Sequence, residues 1–246
     1  MMRLDAFLAD RAMCDSRTDA KNFILSGDVT VNDRVIQKPS YDVTGDENIV
    51  VNKSSKKYVG RGGFKLEAAL SFFDISVDSS LAIDVGASSG GFTDCLLQNG
   101  ASHVISVDSG SGQLAESLRR NCRVTVIENY NARYMMPIDF EYTPNLAVMD
   151  VSFISATLIM PALKSCLSDG ADFICLIKPQ FEVGKSGLGK GGIVKDKSVR
   201  LAAVNKVVDF AKQIGFEFID MRESPIVGGD GNIEYLAHFK NRTLSL

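Results

Sequence analysis

The stretch LAIDVGASSGGFTD, residues 81–94, decides how the chain is read. A short apolar run holding one acid, Asp84, meets a glycine turn at Gly86, and a helix-forming stretch follows. In α/β proteins, a strand feeding such a turn is where nucleotides and related ligands are cradled. A triphosphate loop needs GxxxxGK followed by serine or threonine, because the lysine reaches phosphate and the hydroxyl holds magnesium. No lysine follows Gly86 until Lys164. A dinucleotide loop needs GxGxxG, and Gly86 followed by Gly90-Gly91 matches it poorly. S-adenosylmethionine carries no phosphate and needs close backbone approach to its amino-acid end, which Gly86, Gly90 and Gly91 allow. Asp108 ends HVISVD, 22 residues after Gly86, at the offset where a carboxylate holds ribose hydroxyls. The candidate cofactor set is Asp84, Gly86, Ser88, Ser89, Gly90, Gly91, Phe92, Asp108, Asn129 and Asp150. A glycine turn that binds nothing is the ordinary alternative.

Strands and helices alternate around this turn. Expected strands are LAIDVG, HVISVD, VTVIEN, LAVMDVS and FICLIKP, with helices over FKLEAALSFF, 91–99, 112–120, 155–167 and 197–214. Nearly continuous apolar strands between helices predict an α/β domain with a mainly parallel sheet covered on both faces. The tail, FEFIDMRESP then VGGDGN then IEYLAHFK, predicts two strands and an antiparallel edge. Residues 1–53 read as a separate small α+β unit. RLDAFLADRAM places Leu4, Phe7, Leu8 and Ala12 on one helical face. SRTDAKNFILSG carries a cap at Ser16 and a stop at Gly27. DVTVNDRVI predicts a hairpin turning at Asn32-Asp33, and NIVVN a closing strand. Residues 54–60 are polar and basic and read as a linker to a third stretch, 61–246.

The 246 residues are 45% hydrophobic and 23% charged, with a net charge of −3. That is globular composition, and any nucleic-acid surface must be local. Five cysteines without a CxxC pair argue against a disulfide framework or zinc knuckle, and a reducing cytoplasm fits. The N-terminus has no signal-peptide pattern, and the run 146–163 is interrupted by Asp150 and Pro161, so no membrane association is expected. His103 and His238 fall within strand patterns and read as packed.

Ligands of open parallel sheets sit beyond the carboxyl ends of the strands. Asp150 ends LAVMD and Lys178 ends FICLIK. Lys65 lies on the first helix after the linker, and Glu234 begins the last strand. Each has an ordinary reading alone: a helix cap, a snorkelling lysine, a surface charge, a solvated edge. Converging on one cleft, they would suit acid–base chemistry, since a lysine beside a second cation and partly desolvated can act as a base near neutral pH.

RGGFKL, DVGASSGGF, VDSGSGQL, MDVSFIS, LIKPQFEVGK and GNIEY occur in this order. Together they resemble the TlyA, or hemolysin A-like, family within the FtsJ-like ribose methyltransferases. The first unit resembles the small S-four-type RNA-binding domain. The resemblance implies a class I (Rossmann-like) methyltransferase fold and a Lys-Asp-Lys-Glu tetrad that maps onto Lys65, Asp150, Lys178 and Glu234. It implies methyl transfer from S-adenosylmethionine to a cytidine ribose 2′-hydroxyl of ribosomal RNA within ribosomal subunits, without a metal. Lys178 is the expected base, Asp150 its orienting partner, and Lys65 and Glu234 position the ribose. A cytoplasmic monomer is expected. The family differs at Ser89, where threonine is usual. RNA contacts are expected from Arg3, Arg17, Lys21 and Lys38, from the basic strip with Lys56, Lys57 and Arg61, and from Arg119 and Arg120. The segment VGKSGLGKGGIVKDK reads as a further basic loop. An inactive methyltransferase fold that only binds RNA, a dinucleotide oxidoreductase and a cytolysin are the competing classes.

Overall fold

The computed structural model describes residues 1–52, 57–184, 187–228 and 231–242. The chain forms two compact units, Met1–Lys57 and Tyr58–Leu246.

In the first unit, β1 (Met2–Arg3) runs into α1 (Leu4–Asp10), followed by α2 (Arg17–Ser26), β2 (Val29–Val31), β3 (Arg34–Val35), β4 (Asp42–Val43) and β5 (Ile49–Val51). Ser16 caps α2 by accepting the Asp19 N–H at 3.0 Å, and Gly27 closes the helix at φ 84°. Asn32 and Asp33 both have positive φ, the geometry of a tight hairpin between β2 and β3. β2 is the centre of the sheet β3-β2-β5, and β1 pairs with β4. Leu4, Leu8, Ala20, Phe23, Ile24, Val29 and Val43 fill the core. The expected face of α1 is corrected at Ala12. The helix ends at Asp10, Ala12 turns to φ 53°, and Cys14 takes the buried place while its N–H donates to the Leu8 carbonyl.

The second unit begins at Tyr58, inside the expected linker. The Tyr58 ring packs edge-on against Phe64, and the Val59 N–H donates to Asp94 Oδ2 at 2.8 Å, so residues 58–60 are built into this unit. Then follow α3 (Gly62–Phe73), β6 (Leu81–Val85), α4 (Gly91–Gln98), β7 (His103–Val107), α5 (Glu116–Arg119) and β8 (Val124–Ile127). β9 (Leu146–Met149), α6 (Met160–Cys166), β10 (Asp172–Ile177), α7 (Pro179–Glu182), α8 (Lys197–Gln213), β11 (Phe216–Glu223) and β12 (Tyr235–Asn241) complete it.

The sheet order is β11-β12-β10-β9-β6-β7-β8, with β12 antiparallel to both neighbours and the remaining pairs parallel. Successive strand residues point to opposite faces. Ile83, Ile105, Ala147 and Phe173 join the core under α6 and α8, whereas Ala82, Val104, Leu146 and Ile174 join that under α3 and α4. Both faces are covered, which explains the continuous apolar strand runs. Two expected helices are shorter than the sequence suggested. The stretch 112–120 packs against the glycine turn, where the Ala115 N–H donates to the Ser89 carbonyl, and is helical only in α5; Gly112 sits at φ 67°. The stretch 155–167 opens as a single 3-10 turn, Ala156–Leu158, before α6 begins at Met160.

Candidate active site

Strand order reverses between β6 and β9, the place where open α/β sheets leave a crevice. β6 delivers Asp84 and Gly86 there; β9 delivers Asp150. Gly86 has φ 87°, and a Cβ on it would lie 2.5 Å from the Asp150 carbonyl oxygen. The glycine turn and the end of β9 therefore abut. A Cβ on Gly91 would lie 2.9 Å from the Gly63 nitrogen and 3.0 Å from the Gly60 oxygen, so this glycine lets α4 start against the start of α3. A Cβ on Gly90 would strike Leu118 and Leu114. At Gly90 and Gly91 the side that a Cβ would occupy is filled by protein. Phe92 is likewise a core residue, 2% exposed and packed against the start of α3.

Ser88 and Ser89 are exposed at the turn. The Ser88 N–H donates to Asp108 Oδ2 at 2.8 Å, and the Gly110 N–H donates to Asp108 Oδ1 at 2.7 Å. These bonds fix the Asp108 carboxylate beside the turn and leave each oxygen further acceptor capacity. Asn129, exposed at φ 54°, closes the same edge by donating its N–H to the Gly110 carbonyl. Asp84 is fully buried. Its Oδ2 accepts from Thr93 Oγ1 at 2.7 Å, while Oδ1 has no hydrogen-bond partner. Burial pushes its carboxyl up to about 7, and the charges of Asp150 and Asp108 add to the rise. Three acids around one turn repel phosphate. They suit a ligand that carries an ammonium and a sulfonium, so the residues present fit S-adenosylmethionine.

The register aligns the second cluster. Cys175 lies opposite Met149 and Ile177 opposite Tyr235, which brings Asp150, Lys178 and Glu234 to the ends of three neighbouring strands. Lys178 Nζ lies 2.5 Å from Asp150 Oδ1 and donates to Ser152 Oγ at 2.8 Å. From α3, Lys65 Nζ reaches Glu234 Oε2 at 2.5 Å, and both residues are buried. Gln180 Nε2 stands 3.5 Å from Glu234 Oε1, and Gly228 leaves the room that this carboxylate occupies. The four charges thus form two ion pairs at the carboxyl end of the sheet, adjoining the glycine turn.

Three residues of this region were not singled out from sequence. Ser152 holds Lys178. Phe153 has φ 64°, a strained conformation for a bulky residue, and is 91% exposed with its ring 5.2 Å from that of Phe181. Glu182 is buried behind them. Only the motifs MDVSFIS and KPQFE around them hinted at a role, because an exposed strained aromatic leaves no periodic signature.

The expected RNA-binding residues divide. Lys21 and Lys38 are exposed. Arg3 and Arg17 both reach the fully buried Asp5, at 3.0 Å and 3.3 Å, while staying about half exposed themselves. Arg119 is engaged by Glu128 at 2.6 Å, and Arg120 by Glu116 at 2.6 Å. Lys57 is exposed and Arg61 half-buried; Lys56 lies outside the described residues. His103 Nε2 meets Thr125 Oγ1 at 2.8 Å, and His238 Nε2 meets Asp172 Oδ1 at 2.6 Å, both away from the tetrad. Among the described residues no group of His, Cys, Asp and Glu could hold a metal, and no helix is long and apolar enough to cross a membrane.

A family model described as FtsJ-like methyltransferase matches residues 58–241, and one described as S4 domain matches residues 2–49. The 16S/23S rRNA (cytidine-2'-O)-methyltransferase TlyA of Mycobacterium tuberculosis is 41% identical over 242 residues, covering 98% of this chain and 90% of that protein. A solved structure from Streptococcus thermophilus that bears the name of a hemolysin is 42% identical, with a TM-score of 0.79 over 98% of this chain and 88% of that one. An S-adenosylmethionine-dependent methyltransferase from Mesorhizobium loti shares the fold at 14% identity, with a TM-score of 0.54 over 72% of this chain and 97% of that one.

Proposed function

Because the chain belongs to the FtsJ-like methyltransferase family and carries an S4 domain ahead of it, we propose that it methylates the ribose 2′-hydroxyl of a cytidine in ribosomal RNA, using S-adenosylmethionine. The observation that carries this reading is the contact between the two halves of the crevice. Gly86 abuts the Asp150 carbonyl, and Asp150 in turn pairs with Lys178. A donor held on the turn and a nucleophile held by the lysine would meet at one point.

When bound, S-adenosylmethionine supplies a methyl group on a positively charged sulfur. Asp84, Asp108 and Asp150 provide the negative surroundings for that ligand. Lys178, once its ammonium has released a proton to solvent, takes the proton of the 2′-hydroxyl as the oxygen attacks. Asp150 and Ser152 fix the position of Nζ, and in-line alignment of oxygen, methyl and sulfur supplies much of the acceleration. Lys65 and Glu234 hold the ribose and close the polar end of the crevice. Phe153, exposed beside Ser152, offers a face on which an unstacked base can lie. The relative's named cytidine specificity and its sequence similarity support the choice of nucleotide.

Incubation with labelled S-adenosylmethionine and separated ribosomal subunits, followed by mapping of the methylated ribose, tests activity, substrate and position together. Lys178→Ala is expected to lower turnover by about a hundredfold or more while cofactor affinity stays near that of the wild type. Full turnover in that variant would remove Lys178 from the role of base. Lysis of cells by the purified protein, independent of Lys178, would favour the cytolysin reading instead.

A further inference from the structure

Glu182 carries a charge into the interior, 6% exposed, and no step above uses it. A buried carboxylate needs partners, and this one finds them in the segment that leaves β9. Oε2 accepts from Ser155 Oγ at 2.5 Å and Oε1 accepts the Ala156 N–H at 2.8 Å. The bonds fall at the start of the 3-10 turn Ala156–Leu158, where orphan N–H groups require an acceptor. Glu182 ends α7, which starts immediately after Lys178.

The segments following β9 and β10 are therefore tied at three levels. Lys178 meets Ser152 at the mouth, Phe153 meets Phe181 above it, and Glu182 meets Ser155 and Ala156 beneath. The middle link includes the strained residue. Phe153 holds φ 64° with its ring almost wholly in solvent, so burial of that ring does not maintain the conformation. Strain of this kind persists only where the surroundings over-determine it, and the Glu182 bonds to Ser155 and Ala156, two and three residues downstream, supply such a constraint.

We propose that Glu182 is a positioning residue for the RNA-side wall of the crevice: its buried carboxylate pins residues 152–156, and so sets both the Ser152 contact to Lys178 and the exposed face of Phe153. This rests on the functional reading given above. Glu182 touches neither substrate nor cofactor. It acts on turnover through the loop, with no part in holding S-adenosylmethionine.

The test uses Glu182→Gln, Phe153→Ala and the double variant in the full chain, assayed with labelled S-adenosylmethionine and ribosomal subunits. Glu182→Gln is expected to lower kcat/KM for the subunit at least tenfold, with the dissociation constant for S-adenosylmethionine within twofold of wild type. Adding Glu182→Gln to Phe153→Ala is expected to cost less than Glu182→Gln costs in the wild type, because the part of its effect that passes through Phe153 is already lost while the part through Ser152 remains. Losses that multiply in full, or cofactor binding that weakens in step with turnover, would overturn the proposal and leave Glu182 a general stabilising residue. Amide hydrogen exchange separates this outcome from failure of the functional reading, since it needs no substrate. Exchange at residues 152–158 should quicken in Glu182→Gln while the strands β6 and β7 stay protected. Unchanged exchange there would also overturn it.

Discussion

Asp84 is a carboxylic acid held inside a sheet, with one oxygen bonded to Thr93 and the other without a partner. Burial pushes it up to about 7, whereas in the unfolded chain it titrates near the ordinary value of 3.8. Below about pH 4 both states carry the proton and the shift has no effect. As pH rises towards 7 the unfolded chain ionises first, so the protein loses stability through that window and the loss levels off above it. The thermal midpoint of the ligand-free protein should therefore fall between pH 5 and pH 8 by more than that of Asp84→Asn; equal falls would mean that Asp84 ionises freely in the folded protein. A cationic ligand favours the ionised acid, so S-adenosylmethionine should bind the wild type more tightly at pH 8 than at pH 6, and the variant with less difference. The acid in LAIDVG was readable as part of a ligand turn. That one of its oxygens would lack a partner was not, because the arrangement depends on Thr93, which bonds the other oxygen from α4 and is itself bonded to Ser106 on β7.

The Lys65–Glu234 pair joins α3 to the start of β12 across 169 residues. Two buried charges stabilise each other only as a pair, and stranding one costs about 3–5 kcal/mol. Glu234→Leu should thus lower the thermal midpoint sharply. Lys65→Met added to it should recover most of that stability and none of the methyl transfer. Recovery of both would reduce the pair to a structural brace. The elements themselves were largely legible. Strand runs such as FICLI and HVISV are apolar because both sheet faces are covered, and the hairpin at Asn32-Asp33 follows from two residues that tolerate positive φ. Two boundaries differ from the sequence reading for local reasons. Tyr58 looks like part of a basic linker until its ring is seen to occupy the space that Gly63 leaves. The helix expected over 112–120 is shortened because Gly112 takes a φ of 67°, outside the helical region, and the helix starts only at Glu116. Neither feature has a sequence signature.

Across the whole molecule the net charge is −3, so attraction to RNA cannot come from a general field. It has to come from placed cations. In the first unit, Arg3 and Arg17 share the buried carboxylate of Asp5 and keep about half their side-chain surface in solvent. The bond from Arg3 is the leading cause that lowers the Asp5 carboxyl to about 2, so this arrangement persists at any working pH. Arg17→Ala leaves Asp5 its bonds from Arg3, and should weaken binding to ribosomal subunits while reducing the slope of log affinity against log salt by about 1. Cofactor affinity should not change. An unaltered salt slope would take Arg17 out of the phosphate contacts. Arg119, engaged by Glu128, should give a smaller effect in the same assay.

The placement of β12 has a consequence for how the enzyme comes into being. Among the described residues this strand is the last in sequence, yet it lies between β10 and β11, both made before it. A chain emerging vectorially from its site of synthesis exposes a gap in the sheet until residues 235–241 arrive, and Lys65 has no counter-charge until Glu234 does. Sheet closure and charge neutralisation become a single late event. A growing chain therefore carries the glycine turn long before it carries the Lys65–Glu234 pair, and both the sheet and the pair are completed abruptly, with the insertion of one strand.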